Sequence, residues 1–78
     1  MSMSPKENQQ IRDAWHRRLE WFRNTYPNLK SYQDDELSSV LQDNGVRFSV
    51  SIGLVESQVS ARVSLSASDA LAKIPPKN

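Results

Sequence analysis

The sequence contains no cysteine, only two glycines and a single histidine among its 78 residues. Without cysteine the chain cannot form disulfides or thiolate metal sites, which is compatible with a reducing compartment. It also lacks an apolar run long enough to span a bilayer, and its polar first ten residues lack the apolar core of a signal peptide. We therefore expect a cytoplasmic protein. The net charge of +1 neither requires nor excludes an anionic partner.

A chain of this length is enough for one domain with a small core. We expect that domain to cover residues 4–75, with residues 1–3 and 76–78 as frayed termini. Its net stability should be a few kcal/mol, roughly 3–5, before any partner contributes. No internal repeat is present that would indicate a solenoid or another array.

The stretch from Val46 to Ser66 alternates apolar residues with serine, arginine and other small or polar residues. A period of two sends successive side chains to opposite faces of a strand, and β-branched and aromatic residues favour strands. The pattern therefore predicts a β-hairpin with one apolar face. The apolar residues are Val46, Phe48, Val50, Ile52 and Leu54 in the first half, and Val59, Ala61, Val63 and Leu65 in the second.

The pairing register follows from where the chain reverses. A reversal at Glu56-Ser57, within a loop from Val55 to Gln58, keeps every apolar residue on one face, and a slip by one residue would destroy this arrangement. The predicted pairs are Leu54 with Val59, Ile52 with Ala61, Val50 with Val63, and Phe48 with Leu65. A lone hairpin is marginal in water and has two open edges, so we expect helices on its apolar face.

Three helices are predicted around this hairpin. The first begins at Pro5 with Ser4 as its N-cap and ends about Thr25, before Pro27. The second is capped by Ser31 and reaches about Asp43, where Asn44-Gly45 supplies a left-handed terminator. The third follows the cap sequence that starts at Ser66 and stops at Pro75-Pro76. The predicted fold class is a small single α+β domain, order ααββα, with a two-stranded antiparallel β-hairpin packed against helices on one face.

No residue pattern indicates catalysis, a cofactor or a metal site, and we expect a protein that is not an enzyme. His16 lies on the polar face of the first helix, where an ordinary solvated histidine is the simplest interpretation. Asp34, Asp35 and Glu36 are adjacent on a helix and point in different directions, without the glycine of a calcium loop. They are better explained as an acidic first turn that interacts favourably with the helix dipole.

Several exposed positions have the composition of an interaction surface. By helical phase Arg18 falls inside the apolar stripe, either with its head over an indole or as a partner-facing arginine beside an exposed Trp21. The polar face of the hairpin carries arginines among short serines, which solvent alone can explain but which also allow close contact. We therefore predict a non-enzymatic binding protein, an adaptor, accessory or inhibitory module that occupies a macromolecular partner's surface. The candidate partner-binding residues are Arg18, Trp21, Arg47, Ser49, Ser51, Arg62 and Ser64.

A nucleic-acid partner is the alternative, because β-ribbons can enter a groove with arginine contacting bases or phosphates. It would use the Ser/Arg face of the hairpin and a basic stripe on the first helix, with Arg12, His16, Arg23, Arg47 and Arg62 as its contacts. The near-neutral charge and the acidic turn of the second helix argue against it. A homodimer through the ribbon edges or through the aromatic first helix is a further hypothesis.

Overall fold

The computed structural model of the chain describes residues 5–53 and 56–77. It contains three α-helices, α1 (Pro5–Thr25), α2 (Asp34–Asp43) and α3 (Leu65–Ala72), and two strands, β1 (Arg47–Ile52) and β2 (Ser57–Arg62). A 3-10 turn (Pro27–Leu29) follows α1. The strands form a two-stranded antiparallel sheet. The predicted α+β class and the order helix, helix, strand, strand, helix are confirmed.

The first helix has the predicted bounds, and its apolar stripe supplies much of the core. Ala14, Leu19 and Phe22 are buried, and the helix packs across β2. The proposed cap at Ser4 lies outside the described residues, as do the predicted frayed residues 1–3 and 78. After the helix, the 3-10 turn places Leu29 fully inside the core.

The second helix begins two residues beyond the position that a Ser31 cap requires. Its N-cap is Gln33, whose side chain binds the N3 backbone while the Glu36 side chain accepts from the Gln33 backbone N–H. Ser31 instead accepts a hydrogen bond from the backbone N–H of Lys77, 2.8 Å away. The predicted terminator is confirmed, because Gly45 has a φ of +92°. Only glycine adopts this backbone conformation without strain.

The hairpin is present, but the predicted register was wrong by four residues. Phe48 pairs with Ala61, Val50 with Val59 and Ile52 with Ser57, and the Gly53 N–H donates to the Glu56 carbonyl at 3.1 Å. The chain therefore reverses between Gly53 and Glu56, earlier than predicted, and the predicted pairing of Leu54 lies outside the described residues. A shift of four is even, so Ile52 and Ala61 still share one face of the sheet.

The third helix begins earlier than predicted and shortens the second strand. Ser64 is its N-cap, with the side-chain oxygen accepting from the Ala67 N–H, so the predicted pairing of Phe48 with Leu65 was wrong. Leu65 is instead the first helical residue and is 89% exposed. The side-chain amide of Asn28 donates to the Leu71 and Ile74 carbonyls at the other end of this helix, which joins α3 to the 3-10 turn.

One hydrophobic cluster joins all of these elements. Phe48 contacts Trp15 and Phe22 with ring centroids 4.8 and 6.1 Å apart, which joins the hairpin to α1. The buried members of the cluster are Leu19, Phe22, Leu29, Leu37, Leu41, Val46 and Leu71. The cluster lies toward Val46 and away from the chain reversal. At the other end of β1, Val50 and Ile52 are 43% and 59% exposed, contrary to the expectation that helices cover the whole apolar face.

Candidate interaction surfaces

The polar face of the hairpin is fully exposed and carries two opposed arginines. The register places Arg47 directly opposite Arg62 at the end of the sheet nearest α3. Neither guanidinium has a carboxylate partner among residues 5–53 and 56–77. Like charges directly opposite each other on a sheet repel, so this pair favours an anion between its members. We call this surface the Ser/Arg face, and it consists of Arg47, Ser49, Ser51, Gln58, Ser60 and Arg62.

Ser64, which was predicted as part of the same face, has a structural role instead. Its side chain caps α3 and also lies 3.1 Å from the Ser66 hydroxyl. It follows the last residue of β2 by two positions, outside the strand. Gln58 and Ser60 are the exposed β2 residues that complete the face. The earlier reversal of the chain places both of them opposite the serines of β1.

A second surface combines arginine with an exposed tryptophan. Trp21 is 47% exposed and packs edge-on against Phe22, with ring centroids 5.0 Å apart. The Arg18 guanidinium lies 6.0 Å from the centre of the Trp21 ring and donates from Nε to the Val59 carbonyl at 3.0 Å. Arg18 therefore has the contact with an indole that one of its two predicted interpretations requires, and the Trp21 ring that it contacts is exposed.

These residues border a groove of about 460 Å³ between α1 and β2, which we call the α1–β2 groove. Its β2 side is polar, with Gln58 and Ser60, and Glu56 also lines it. Arg17 lies on the α1 side and has no ion pair with any residue that the structure describes. The groove therefore presents an aromatic ring and two guanidinium groups to solvent. Its lining residues are Ala14, Arg17, Arg18, Trp21, Glu56, Gln58, Val59 and Ser60.

The two edges of the hairpin differ. Because Gly53 and Glu56 exchange a ladder hydrogen bond, the backbone groups of Phe48, Val50 and Ile52 point away from β2. None of these N–H and C=O groups has a partner within the described part of the chain. The opposite edge is covered by α1, because the Val59 carbonyl accepts from Arg18 and Ser57 is buried. Among the described residues, the edge of β1 is therefore the more open of the two.

The proposed basic stripe on α1 is divided by the structure. Arg23 is buried, with a side chain only 10% exposed, and its guanidinium contacts Glu20 and Asp34 at 2.7 Å each. It also donates to the Tyr32 carbonyl from Nε and Nη2. This side chain joins α1 to the start of α2 and is not free to contact a nucleic acid. Helical phase alone placed it on the polar face, because it carries no information about where α2 docks.

His16 belongs to the same charged cluster, which consists of Glu20, Arg23, Asp34 and His16. Its Nδ1 lies 3.1 Å from a carboxylate oxygen of Asp34, while most of the imidazole is exposed. Of the basic stripe, Arg12 remains an exposed residue on α1. The nucleic-acid contacts predicted on this helix therefore reduce to Arg12 and the outer edge of His16, beside the acidic first turn of α2.

The charges of the cluster shift the ionisation of two groups. Burial disfavours the charged form of Asp34, but hydrogen bonds and charge from His16 and Arg23 outweigh it and hold the pKa of Asp34 below its usual range. For Arg23, burial again opposes the charge, and the bonds to Asp34 and Glu20 raise the pKa above its usual value. The ion pair between Arg23 and Asp34 therefore persists throughout the neutral range.

In the described ranges, no group of three histidine, aspartate or glutamate side chains is arranged to hold a metal ion. Within residues 5–53 and 56–77, no helix has the combination of length and hydrophobicity that a bilayer span requires. Comparison with protein-family models, curated proteins and solved structures found no match to this chain.

Proposed function

We propose that this protein is a non-enzymatic binding module that recognises another protein through the α1–β2 groove. The observation that supports the proposal is the half-exposed Trp21 ring. In a chain with so small a core, burying both tryptophans would stabilise the fold, yet Trp15 packs on Phe48 while Trp21 faces solvent. Tryptophan and arginine are the residues most enriched among interface positions that dominate binding energy.

The groove is preorganised for such a contact. The bond to the Val59 carbonyl restricts the Arg18 side chain, and the edge-on contact with Phe22 restricts the Trp21 ring. Restricting side chains before binding reduces the conformational entropy lost on association. Arg17 lies in the same groove without an ion pair in the described part of the chain, and it adds positive charge beside the ring. The partner that fits best is a protein segment with an apolar side chain close to a carboxylate, and occupying it would let the protein act as an adaptor or inhibitor.

Affinity capture from the source cell, followed by titration of the captured protein, tests this proposal. We expect Trp21→Ala to weaken binding of the captured partner at least about tenfold, the loss typical of a dominant interface residue. The matched control is Lys73→Ala, an exposed residue at the end of α3 that should leave binding within about twofold of the wild type. Equal affinity of the wild-type protein and Trp21→Ala for every captured species would contradict the proposal.

A nucleic-acid partner is retained as a second candidate because of one observation, the directly opposed Arg47 and Arg62. A phosphate between two guanidinium groups would relieve their repulsion, and the serines beside them could donate to its oxygens. Binding to random-sequence DNA and RNA at two salt concentrations separates the candidates. Affinity that falls steeply with salt and is lost in Arg62→Gln would favour this second candidate. No binding at low salt would leave the α1–β2 groove as the functional surface.

Either function leaves the open β1 edge unused. The aromatic residues of α1 offer little for self-association, because Trp15 packs on the hairpin and only Trp21 is exposed among its large apolar side chains. The sequence indicated a homodimer either through the ribbon edges or through α1. Of these two, the strand edge is the one with backbone N–H and C=O groups that have no partner in the described part of the chain. A contact there would also leave the α1–β2 groove open, since the groove lies along the opposite edge of the hairpin.

A further inference from the structure

We infer that two copies of this chain associate through their β1 edges to form one four-stranded antiparallel sheet. The first observation is the row of backbone groups at Phe48, Val50 and Ile52, which point outward without partners in the described part of the chain. An open strand edge is a template for pairing with another strand. A second copy supplies an identical row of donors and acceptors, so the edge is complementary to itself under two-fold symmetry.

The register of this contact follows from the alternation of the backbone groups. Only outward-pointing residues can exchange hydrogen bonds, so even-numbered residues must pair with even-numbered residues. Placing Val50 opposite its own copy pairs Phe48 with the second copy's Ile52. Each of the three outward residues then donates one hydrogen bond through its N–H and accepts one through its C=O. A register shifted toward Val46 is less favourable, because the Val46 N–H already donates to the Leu41 carbonyl at 3.0 Å.

The side chains support the same register. Val50 and Ile52 are the exposed apolar residues of β1, and they lie on the face that packs against α1. Beside Phe48, a groove of about 510 Å³ is lined by Trp15, Gln42, Gly45, Val46, Arg47 and Phe48. With Ile52 opposite Phe48 of the other copy, the exposed isoleucine of each chain enters this groove, where Trp15 already contacts Phe48. The contact therefore buries apolar surface that one chain leaves in water.

The same geometry limits assembly to two copies. The outer edge of β2 is covered by α1, since Val59 is buried and its carbonyl accepts from Arg18. Each chain thus contributes one open edge, and pairing uses both available edges. On the opposite face, Arg47 would lie against Gly53 of the other copy, so the dimer brings no two arginines into direct opposition across the new contact.

Single cysteines test the register, because the natural chain contains none. In the inferred register, position 50 faces its own copy at a Cα separation of about 5.5 Å, which is suitable for a disulfide. Under mild oxidation Val50→Cys should cross-link nearly completely. Ser49→Cys and Ser51→Cys are matched controls, because each would lie diagonal to its own copy at about 7–8 Å, beyond the usual limit. Preferential cross-linking of either control would overturn the register.

Light scattering after size exclusion tests the association itself. We expect twice the mass of one chain at high protein concentration for the wild type, and the mass of a single chain for Val50→Lys, which places two ammonium groups side by side at the two-fold axis. Ser51→Lys adds the same charge on the opposite face and should remain dimeric. Circular dichroism checks that each variant is folded. A wild type with the mass of one chain at every concentration would overturn the proposal, as would a Val50→Lys variant that is folded and dimeric.

Discussion

Arg23, Arg47 and Arg62 are all arginines, but Arg23 is buried and paired with carboxylates, whereas Arg47 and Arg62 are exposed and face each other. Arg23 is buried between two helices, with two carboxylates and a backbone carbonyl as partners. Arg47 and Arg62 face each other in water, without an acidic partner in the described ranges. A buried guanidinium is tolerated only when it is fully paired, whereas exposed ones remain free for contact. The burial and pairing of an arginine, more than its sequence context, therefore determine whether it contributes to stability or to binding.

The two situations have opposite consequences for the fold. The buried arginine holds the end of α1 against the start of α2, so its loss weakens the contact between these two consecutive helices. The exposed pair repels itself across the hairpin and lowers the stability of the sheet by a small amount, roughly 0.2–1 kcal/mol. This contrast can be tested by changing each group separately and measuring the free energy of unfolding.

The largest effect is expected from Arg23→Met. The substitution keeps most of the buried volume but removes the ion pairs and the donors to the Tyr32 carbonyl. We expect the free energy of unfolding to fall by about 2 kcal/mol, since hydrogen bonds to charged groups are worth roughly 1.5–3 kcal/mol and both carboxylates can return to water. Urea denaturation followed by circular dichroism measures the loss.

Arg12→Met is the matched control for that experiment. Arg12 lies on the same helix and is exposed, so its replacement should change stability by no more than about 0.5 kcal/mol. If both variants lost the same amount, Arg23 would be no more important to the fold than an exposed arginine. The contrast between buried and exposed arginines would then fail.

A smaller effect is expected from Asp34→Asn, and it should depend on pH. Because the folded-state pKa of Asp34 lies below its usual value, ionised Asp34 stabilises the fold above pH of about 4, and this contribution is lost as pH falls through the lowered folded pKa. We expect Asp34→Asn to lose roughly 1 kcal/mol at pH 7, a discounted figure because the carboxylate is nearly half exposed. Urea titrations from pH 7 to pH 2 should show the wild type and the variant converging in acid.

Asp35→Asn is the control for this pH dependence. Asp35 occupies the same first turn of α2 but has no ion pair with any residue of the described ranges. Its replacement should alter stability by only a few tenths of a kcal/mol through the helix dipole, about 0.3–0.5. An equal loss in both variants at pH 7 would indicate that the dipole, rather than the contact with Arg23, accounts for the role of Asp34.

The order of the helices and the bounds of α1 were predictable because their signals are local, whereas the starts of α2 and α3 were not. Pro5 at a first helical position, Pro27 after the end of α1 and Gly45 at a left-handed position each determine a boundary through backbone geometry alone. The strand register was not predictable, because a shift of two or four residues leaves the same side chains on the apolar face. What distinguishes these shifts is where α3 starts. Ser64 caps that helix, so the strand cannot extend to pair with Phe48 as the apolar pattern suggested.

The interaction surfaces were also predictable only in part. The Ser/Arg face required only the alternation along each strand, and it is exposed as expected apart from Ser64. The open β1 edge with its exposed Val50 and Ile52 was not predicted in this form, because α1 packs over β2 and leaves β1 partly uncovered. Which strand a helix covers depends on the lengths of the connections and on the shape of the core, and neither has a signature in periodicity.

The smallest effect concerns the exposed pair and has the opposite sign. Arg62→Glu places a carboxylate directly opposite Arg47, so repulsion becomes attraction, and we expect the protein to gain about 0.5 kcal/mol of stability at low salt. Arg47→Glu should give a similar gain, while the double variant opposes two carboxylates and should lose both gains. This cycle isolates the interaction from the effects of each substitution alone.

The interaction free energy between positions 47 and 62 should decrease at high salt, because both groups are exposed. Additive effects in the double variant would mean that the two guanidinium groups do not interact, and the phosphate site proposed between them would lose its electrostatic basis.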